Sequence, residues 1–141
     1  MNIKNFGFYI TDIKRLMTRE FSKGEQTLTP MQARALMYVA RFEGIRQREL
    51  ADRLDIQPIA LVRLIDLLTS ENLVERRADP SDRRAYRLYL KEDAAPTLEV
   101  LKDDVEAINS RALAALNDEE VEQLMYLIEK VHTSFSTPSD Q

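Results

Sequence analysis

Residues 48–68 read Arg48-Glu49-Leu50-Ala51-Asp52-Arg53-Leu54-Asp55-Ile56-Gln57-Pro58-Ile59-Ala60-Leu61-Val62-Arg63-Leu64-Ile65-Asp66-Leu67-Leu68. Leu50, Ala51, Leu54, Ile56, Leu61, Ile65 and Leu68 recur at spacings that place them on inward helix faces. A short helix from about Arg46 to Leu54 is followed by a turn at Asp55-Ile56-Gln57. A second helix begins at Pro58, where a missing N–H costs nothing, and runs to about Ser70. Helix, tight turn, helix is the helix-turn-helix pattern, here without the glycine its turn often carries.

Working outward, the period changes downstream. Leu73–Arg77 and Tyr86–Leu90 read as strands, the second placing Arg87 and Tyr89 on one face and Tyr86, Leu88 and Leu90 on the other. Between them, residues 78–85 contain Asp79-Pro80-Ser81-Asp82, which is turn chemistry, and carry Arg83 and Arg84. The expectation is a hairpin with an extended basic loop at its tip. Upstream, Thr29 caps a helix that starts at Pro30 and ends near Phe42, before Gly44. Residues 6–21 form an amphipathic helix with Phe6, Tyr9, Ile10, Ile13, Leu16, Met17 and Phe21 on its stripe and Gly24 as its C-cap.

The C-terminal third is helical. Leu98, Leu101, Val105, Ile108, Ala112 and Ala115 form a heptad-like seam, with Pro96 in the first turn. Asn117 and Glu120 have capping-box spacing, and the helix they open carries Val121, Leu124, Ile128, Val131 and Phe135. The tail from Ser136 to Gln141 is polar and expected to fray.

The 141 residues suffice for about one domain. The formal charge of −4 is unevenly spread. Residues 46–91 carry 10 basic and 8 acidic side chains, and nine of the cations are arginine; residues 92–141 carry 3 basic and 12 acidic. Arginine presents a planar fork suited to phosphate and guanine edges. There is no cysteine, hence no disulfide, thiolate metal site or thiol switch. No apolar run approaches a membrane span, and the N-terminus lacks the parts of a signal peptide. The expected location is the cytoplasm, in association with the nucleoid. An enzyme is not expected: there are three glycines, no Gly-rich phosphate loop, no nucleophile elbow, and no Cys or His–Asp constellation. No cofactor or metal is expected, since His132 stands alone.

The order of elements, together with Leu28-Thr29-Pro30, Arg48–Leu54, Leu61–Leu68, Glu71–Arg76 and above all Asp79-Pro80-Ser81-Asp82-Arg83-Arg84, resembles the MarR family of bacterial transcriptional regulators, and its SlyA-like branch in particular. The resemblance implies a mainly α fold with a small β-hairpin wing: a winged helix-turn-helix with an intertwined helical dimerisation region. Residues 1–27 would be the N-terminal dimerisation helix, 28–91 the DNA-binding domain, 92–135 two further dimerisation helices, and 136–141 a frayed tail. Relatives carry Thr after the last strand as the next helix cap; here Lys91 stands there, and Asp93 is the substitute.

The function so implied is a dimeric, sequence-specific DNA-binding regulator. It would read a pseudo-palindromic operator with the recognition helix in the major groove and the wing in the minor groove. Gln57, Pro58, Ile59, Ala60 and Arg63 are the base-reading candidates, although Ile59 could instead be core and Arg63 merely solvated. The resemblance carries the minor-groove role to Arg83. Arg84 has two readings, the same groove or an ion pair within the fold. Asp82 would orient a neighbouring arginine by an ion pair. Arg46, Gln47, Arg48, Arg76 and Arg77 would meet phosphate or solvent. Leu98, Leu101, Val105, Ile108, Val121, Leu124, Ile128 and Val131 would form the dimer seam. The resemblance also implies a small aromatic carboxylate or phenolic effector. Tyr9, Ile13, Lys14, Tyr38 and Phe42 are its candidate pocket, each with ordinary packing as the plainer reading. The alternative function is a winged-helix protein–protein module without specific DNA binding.

Overall fold

The computed structural model describes residues 2–24 and 27–136. Its elements run α1 (Phe6–Phe21), α2 (Pro30–Arg41), α3 (Gln47–Leu54), α4 (Pro58–Ser70), β1 (Val74–Asp79), β2 (Asp82–Leu90), α5 (Ala94–Ala112) and α6 (Asp118–Thr133), with a 3-10 turn at Ile3–Asn5. The fold is that of a winged helix: mainly α, with one antiparallel hairpin. The chain divides into two compact units, one ending at Val105 and the other beginning at Glu106, so the division falls within α5. No described helix is long and apolar enough to cross a membrane.

In the first unit, Leu36 of α2, Leu50 of α3, Leu61, Ile65 and Leu68 of α4, and Leu88 of β2 are all fully buried. Burial of one such side chain contributes roughly 1.5–3 kcal/mol. The apolar spacing of residues 50–68 thus becomes the packing that orients α4. Thr29 caps α2 through Gln32 N, and Gln32 Oε1 accepts from Thr29 N in return, at 3.2 and 3.0 Å. In the second unit, Asn117 and Glu120 form the capping box expected of them. The glycine missing from the helix-turn-helix turn is replaced by Asp55 in the left-handed region, φ 57°, which a short polar side chain tolerates.

Several expectations are corrected. The C-cap of α1 is Ser22, not Gly24; a Cβ on Gly24 would lie 2.7 Å from Asp104 Oδ2, so a larger residue there would push that carboxylate aside. The wing has no eight-residue loop. Its strands continue to Asp79 and Asp82, leaving Pro80-Ser81 as the turn, with an irregular register between Ala78 and Asp79. The reason is side-chain chemistry: Asp79 Oδ1 accepts from Ser81 N at 2.9 Å and Ser81 Oγ at 2.8 Å and closes the turn locally. Tyr86 shares a strand face with buried Leu88 but is exposed, because the core ends at Leu88 as the hairpin extends toward its tip.

Segment 44–46 pairs with β2: Gly44 N donates to Leu88 O at 2.8 Å and Leu88 N to Ile45 O at 2.9 Å, with a bridge between Arg46 and Arg87. Asp93 does not act as the α5 cap. The first α5 N–H groups donate to the carbonyls of Lys91 and Glu92, and the Asp93 carboxylate accepts from Asn72 Nδ2. Pro96 lies in the first turn of α5, as its chemistry requires, whereas Ala115 and Phe135 fall beyond the ends of α5 and α6.

Candidate nucleic-acid interface

The outward face of α4 follows from its inward one. With Leu61, Ile65 and Leu68 buried, helical spacing turns Ile59, Val62, Arg63 and Asp66 away from the core. Ile59 is 66% exposed and Val62 37% exposed. Ile59 is therefore not a core residue, and apolar Val62 is likewise a surface residue. Gln57 is the N-cap of α4, but its side chain makes no capping hydrogen bond and is exposed. Pro58, Ala60 and Arg63 are exposed as well.

The wing presents Arg83 and Arg84 on β2, directly after the turn. Both are exposed, and neither forms an ion pair with the described residues; the same holds for Arg63. Among the described residues, Asp82 pairs with no guanidinium. Its Oδ1 accepts from the Arg84 backbone N–H at 2.9 Å, a contact that shapes the strand start.

Four arginines in and beside the wing, Arg46, Arg76, Arg77 and Arg87, are engaged within the fold. Arg46 Nε lies 2.9 Å from Asp79 Oδ2, and Arg87 Nε 3.2 Å from the same oxygen. Arg87 also donates to Gly44 O at 2.9 Å. Arg76 donates through Nε to Gln47 Oε1 at 2.8 Å and through a terminal nitrogen to Val62 O at 3.2 Å. Its other terminal nitrogen is 2.8 Å from Asp66 Oδ1. Arg77 pairs with Glu75 at 2.5 Å and lies over the Tyr89 ring, 3.9 Å from its centroid. Arg46 and Gln47, at the start of α3, are thereby tied to β1 of the wing. Arg46 and Arg48 also line a cleft of about 630 Å³ with Glu49, Asp52, Pro58 and Arg87.

Asp79 was legible only as a turn former, yet it is 3% exposed and holds the wing root. The Ser81 hydrogen bonds first, then the Arg46 and Arg87 charges, hold its carboxyl at about 2, against an ordinary 3.8, with burial opposing. Its Oδ2 is met by charge rather than by an aligned hydrogen bond. A lowered folded-state pKa gives stability that is complete above the unfolded value and lost as pH falls through the folded one. Wild type is therefore expected to exceed Asp79→Asn in stability by a constant margin above about pH 4, a margin that shrinks toward pH 2. Urea melts of both proteins across that range check it; a margin unchanged into acid would contradict the assigned role.

The candidate effector residues are not gathered into one cavity. Tyr9 and Ile13 are exposed on α1, as is Lys14, while Tyr38 and Phe42 are half-buried with ring centroids 6.1 Å apart. Of the five, Phe42 alone lines the second cleft, of about 310 Å³, with Glu43, Glu49 and Arg53. The seam residues are likewise unequal. In the first unit, Leu101 is fully buried and belongs to the core, because its helix face is turned inward there, whereas Leu98 and Val105 are half-exposed. In the second unit, Ile108, Val121 and Leu124 are half-exposed, and Ile128 and Val131 exposed. The α1 face also exposes Phe6, Tyr9, Ile10, Ile13 and Leu16.

Residues 26–85 match the model of the MarR family. The chain is 28% identical over 120 residues to the HTH-type transcriptional repressor MdtR of Bacillus subtilis (strain 168), covering 85% of this chain and 77% of that one. It superposes on a cysteine-to-serine mutant of MarR from E. coli with a TM-score of 0.77 and 26% identity, over 93% of this chain and 96% of the other. The same mutant complexed with operator DNA superposes with a TM-score of 0.72 at 23% identity, over 93% and 99% of the chains, a likeness of fold.

Proposed function

We propose that this chain, whose residues 26–85 match the model of the MarR family, is a transcriptional regulator of that family that binds double-stranded DNA as a homodimer and acts at a pseudo-palindromic operator. Each α4 enters a major groove, and each wing reaches the adjacent minor groove. Half-sites then lie about one DNA turn apart, ~10 bp. The observation that carries this reading is that Arg63 on α4 and Arg83 and Arg84 on the wing are exposed and form no ion pair among the described residues. Every other arginine of the wing strands is engaged with an acid of the chain. Arg83 fits the minor groove, whose narrow A·T-rich stretches carry enhanced negative potential. Gln57 and Arg63 supply the hydrogen-bonding side chains for base edges.

The homodimer covers the apolar faces that a lone chain leaves exposed: Phe6, Tyr9, Ile10, Ile13 and Leu16 on α1, and Met125, Ile128 and Val131 on α6. A small aromatic carboxylate or phenol is the proposed effector class, held near Tyr9, Ile13 and Lys14 in a pocket that a second chain completes. A DNA-binding role places the protein with the chromosome in the cytoplasm.

Fluorescence anisotropy on the upstream intergenic DNA and on a scrambled duplex, each at two salt concentrations, tests the reading. Specific DNA is expected to bind selectively, and affinity is expected to fall steeply with salt, as counterion release requires. Equal weak binding to both duplexes would favour a winged helix whose partner is a protein.

A further inference from the structure

The base-reading face of α4 is unusually short of hydrogen-bonding groups. Ile59, Val62, Arg63 and Asp66 follow one another at i, i+3, i+4 and i+7 and share the outward face. In the first two turns the exposed side chains are Pro58, Ile59, Ala60, Val62 and Arg63. Four of these five carry no polar atom, so Gln57 at the cap and Arg63 are the only hydrogen-bonding side chains available there. The Asp66 carboxylate on the same face is matched by Arg76 at 2.8 Å.

A base edge in the major groove offers hydrogen-bond donors and acceptors and one apolar group, the thymine 5-methyl. An isoleucine or valine pressed against a bare donor or acceptor would desolvate it without replacement, which is unfavourable. Against a methyl it buries apolar surface on both sides. The flanking cations Arg63, Arg83 and Arg84 supply the charge complementarity that brings this apolar stripe to DNA rather than to an acid-poor protein surface. We propose that α4 selects its half-site mainly through thymine 5-methyl groups contacted by Ile59 and Val62, an inference that rests on the DNA-binding function proposed above. Specificity would then follow the methyl pattern of the groove, with Gln57 and Arg63 fixing register. Cytosine carrying a 5-methyl group presents the same apolar surface and would substitute for thymine at the contacted positions as far as Ile59 and Val62 are concerned.

The test uses the full chain and an operator selected from a randomised duplex pool. Binding is measured to that operator, to the same operator with deoxyuridine in place of every thymidine, and to scrambled duplexes of both compositions. Removal of one contacted methyl is expected to weaken binding about fourfold, the transfer value of a buried CH2 group, and loss from both half-sites about 15-fold. Scrambled duplexes should bind equally with thymine or uracil, since the phosphate contacts are unchanged. The double variant Ile59→Ala, Val62→Ala removes exposed side chains and is expected to fold normally by circular dichroism. It should bind the thymine and uracil operators alike. Equal binding of both operators by wild type, with discrimination against scrambled DNA retained, would overturn methyl readout and leave the DNA-binding function standing. An equal uracil penalty in wild type and variant would overturn the assignment to Ile59 and Val62. Failure of the pool to yield any preferred sequence would overturn the function itself, and the inference with it.

Discussion

Arg83→Ala is expected to lower operator affinity about 100-fold while leaving the fold intact. An arginine contact to DNA is worth ~1–3 kcal/mol, and a homodimer loses two of them. Arg83 is exposed, lies just after the wing turn, and has no ion-pair partner among the described residues, so its removal breaks no ion pair there. A surface change of that kind shifts stability by only about 0.5 kcal/mol. The log–log salt dependence should become shallower by about 2, one released counterion for each lost cation. Anisotropy titrations at four salt concentrations, beside a thermal melt, give both quantities. Undiminished affinity would remove Arg83 from the interface. Arg84→Ala is the informative neighbour: the Asp82 contact uses the Arg84 backbone N–H, which survives the substitution, so any loss reports the guanidinium alone.

The contrast between such an arginine and those that look identical in the sequence shows where sequence reading stops. The helix-turn-helix was legible because its signal is local. Apolar residues three and four apart decide which face is buried, and Leu50, Leu54, Leu61, Ile65 and Leu68 are buried as that spacing demands. Helix starts were legible for the same reason, since Thr29 and Asn117 act on their own first turns. Ile59 was ambiguous because hydrophobicity alone does not say which side of a helix is covered. The engaged arginines were not legible at all. A guanidinium accepts a phosphate or a carboxylate with equal readiness, and the partner that decides is remote in the chain. Arg46 reaches Asp79, and Arg76 reaches Gln47, 29 positions earlier. The wing loop was misjudged for a related reason. Asp-Pro-Ser-Asp announces a turn, but the tightness of that turn depends on Asp79 bonding Ser81 while Arg46 and Arg87 balance its charge.

Arg76 is where this distinction becomes measurable. Its guanidinium joins three elements: Gln47 at the start of α3, the Val62 carbonyl and Asp66 carboxylate of α4, and its own strand β1. Arg76→Met keeps the apolar stem and removes all three polar contacts. A hydrogen bond to a charged group contributes ~1.5–3 kcal/mol. Asp66 is 61% exposed and rehydrates when its partner is lost, so the total loss of stability is expected near 2 kcal/mol rather than the sum of three such bonds. Operator affinity is expected to fall about tenfold for two reasons: α4 loses a brace against α3, and Asp66 regains a net negative charge on the face turned to DNA. Salt dependence separates this from loss of a phosphate contact. A positioning residue that releases no counterion leaves the log–log slope nearly unchanged, whereas Arg83→Ala reduces it. Arg76→Lys should recover only part of the loss, because one ammonium cannot span Gln47, Val62 O and Asp66 as the planar fork does. Asp66→Asn in the Arg76→Met background should restore much of the affinity by removing the stranded charge, without restoring stability. A slope reduced as far as that of Arg83→Ala would instead return Arg76 to the DNA backbone.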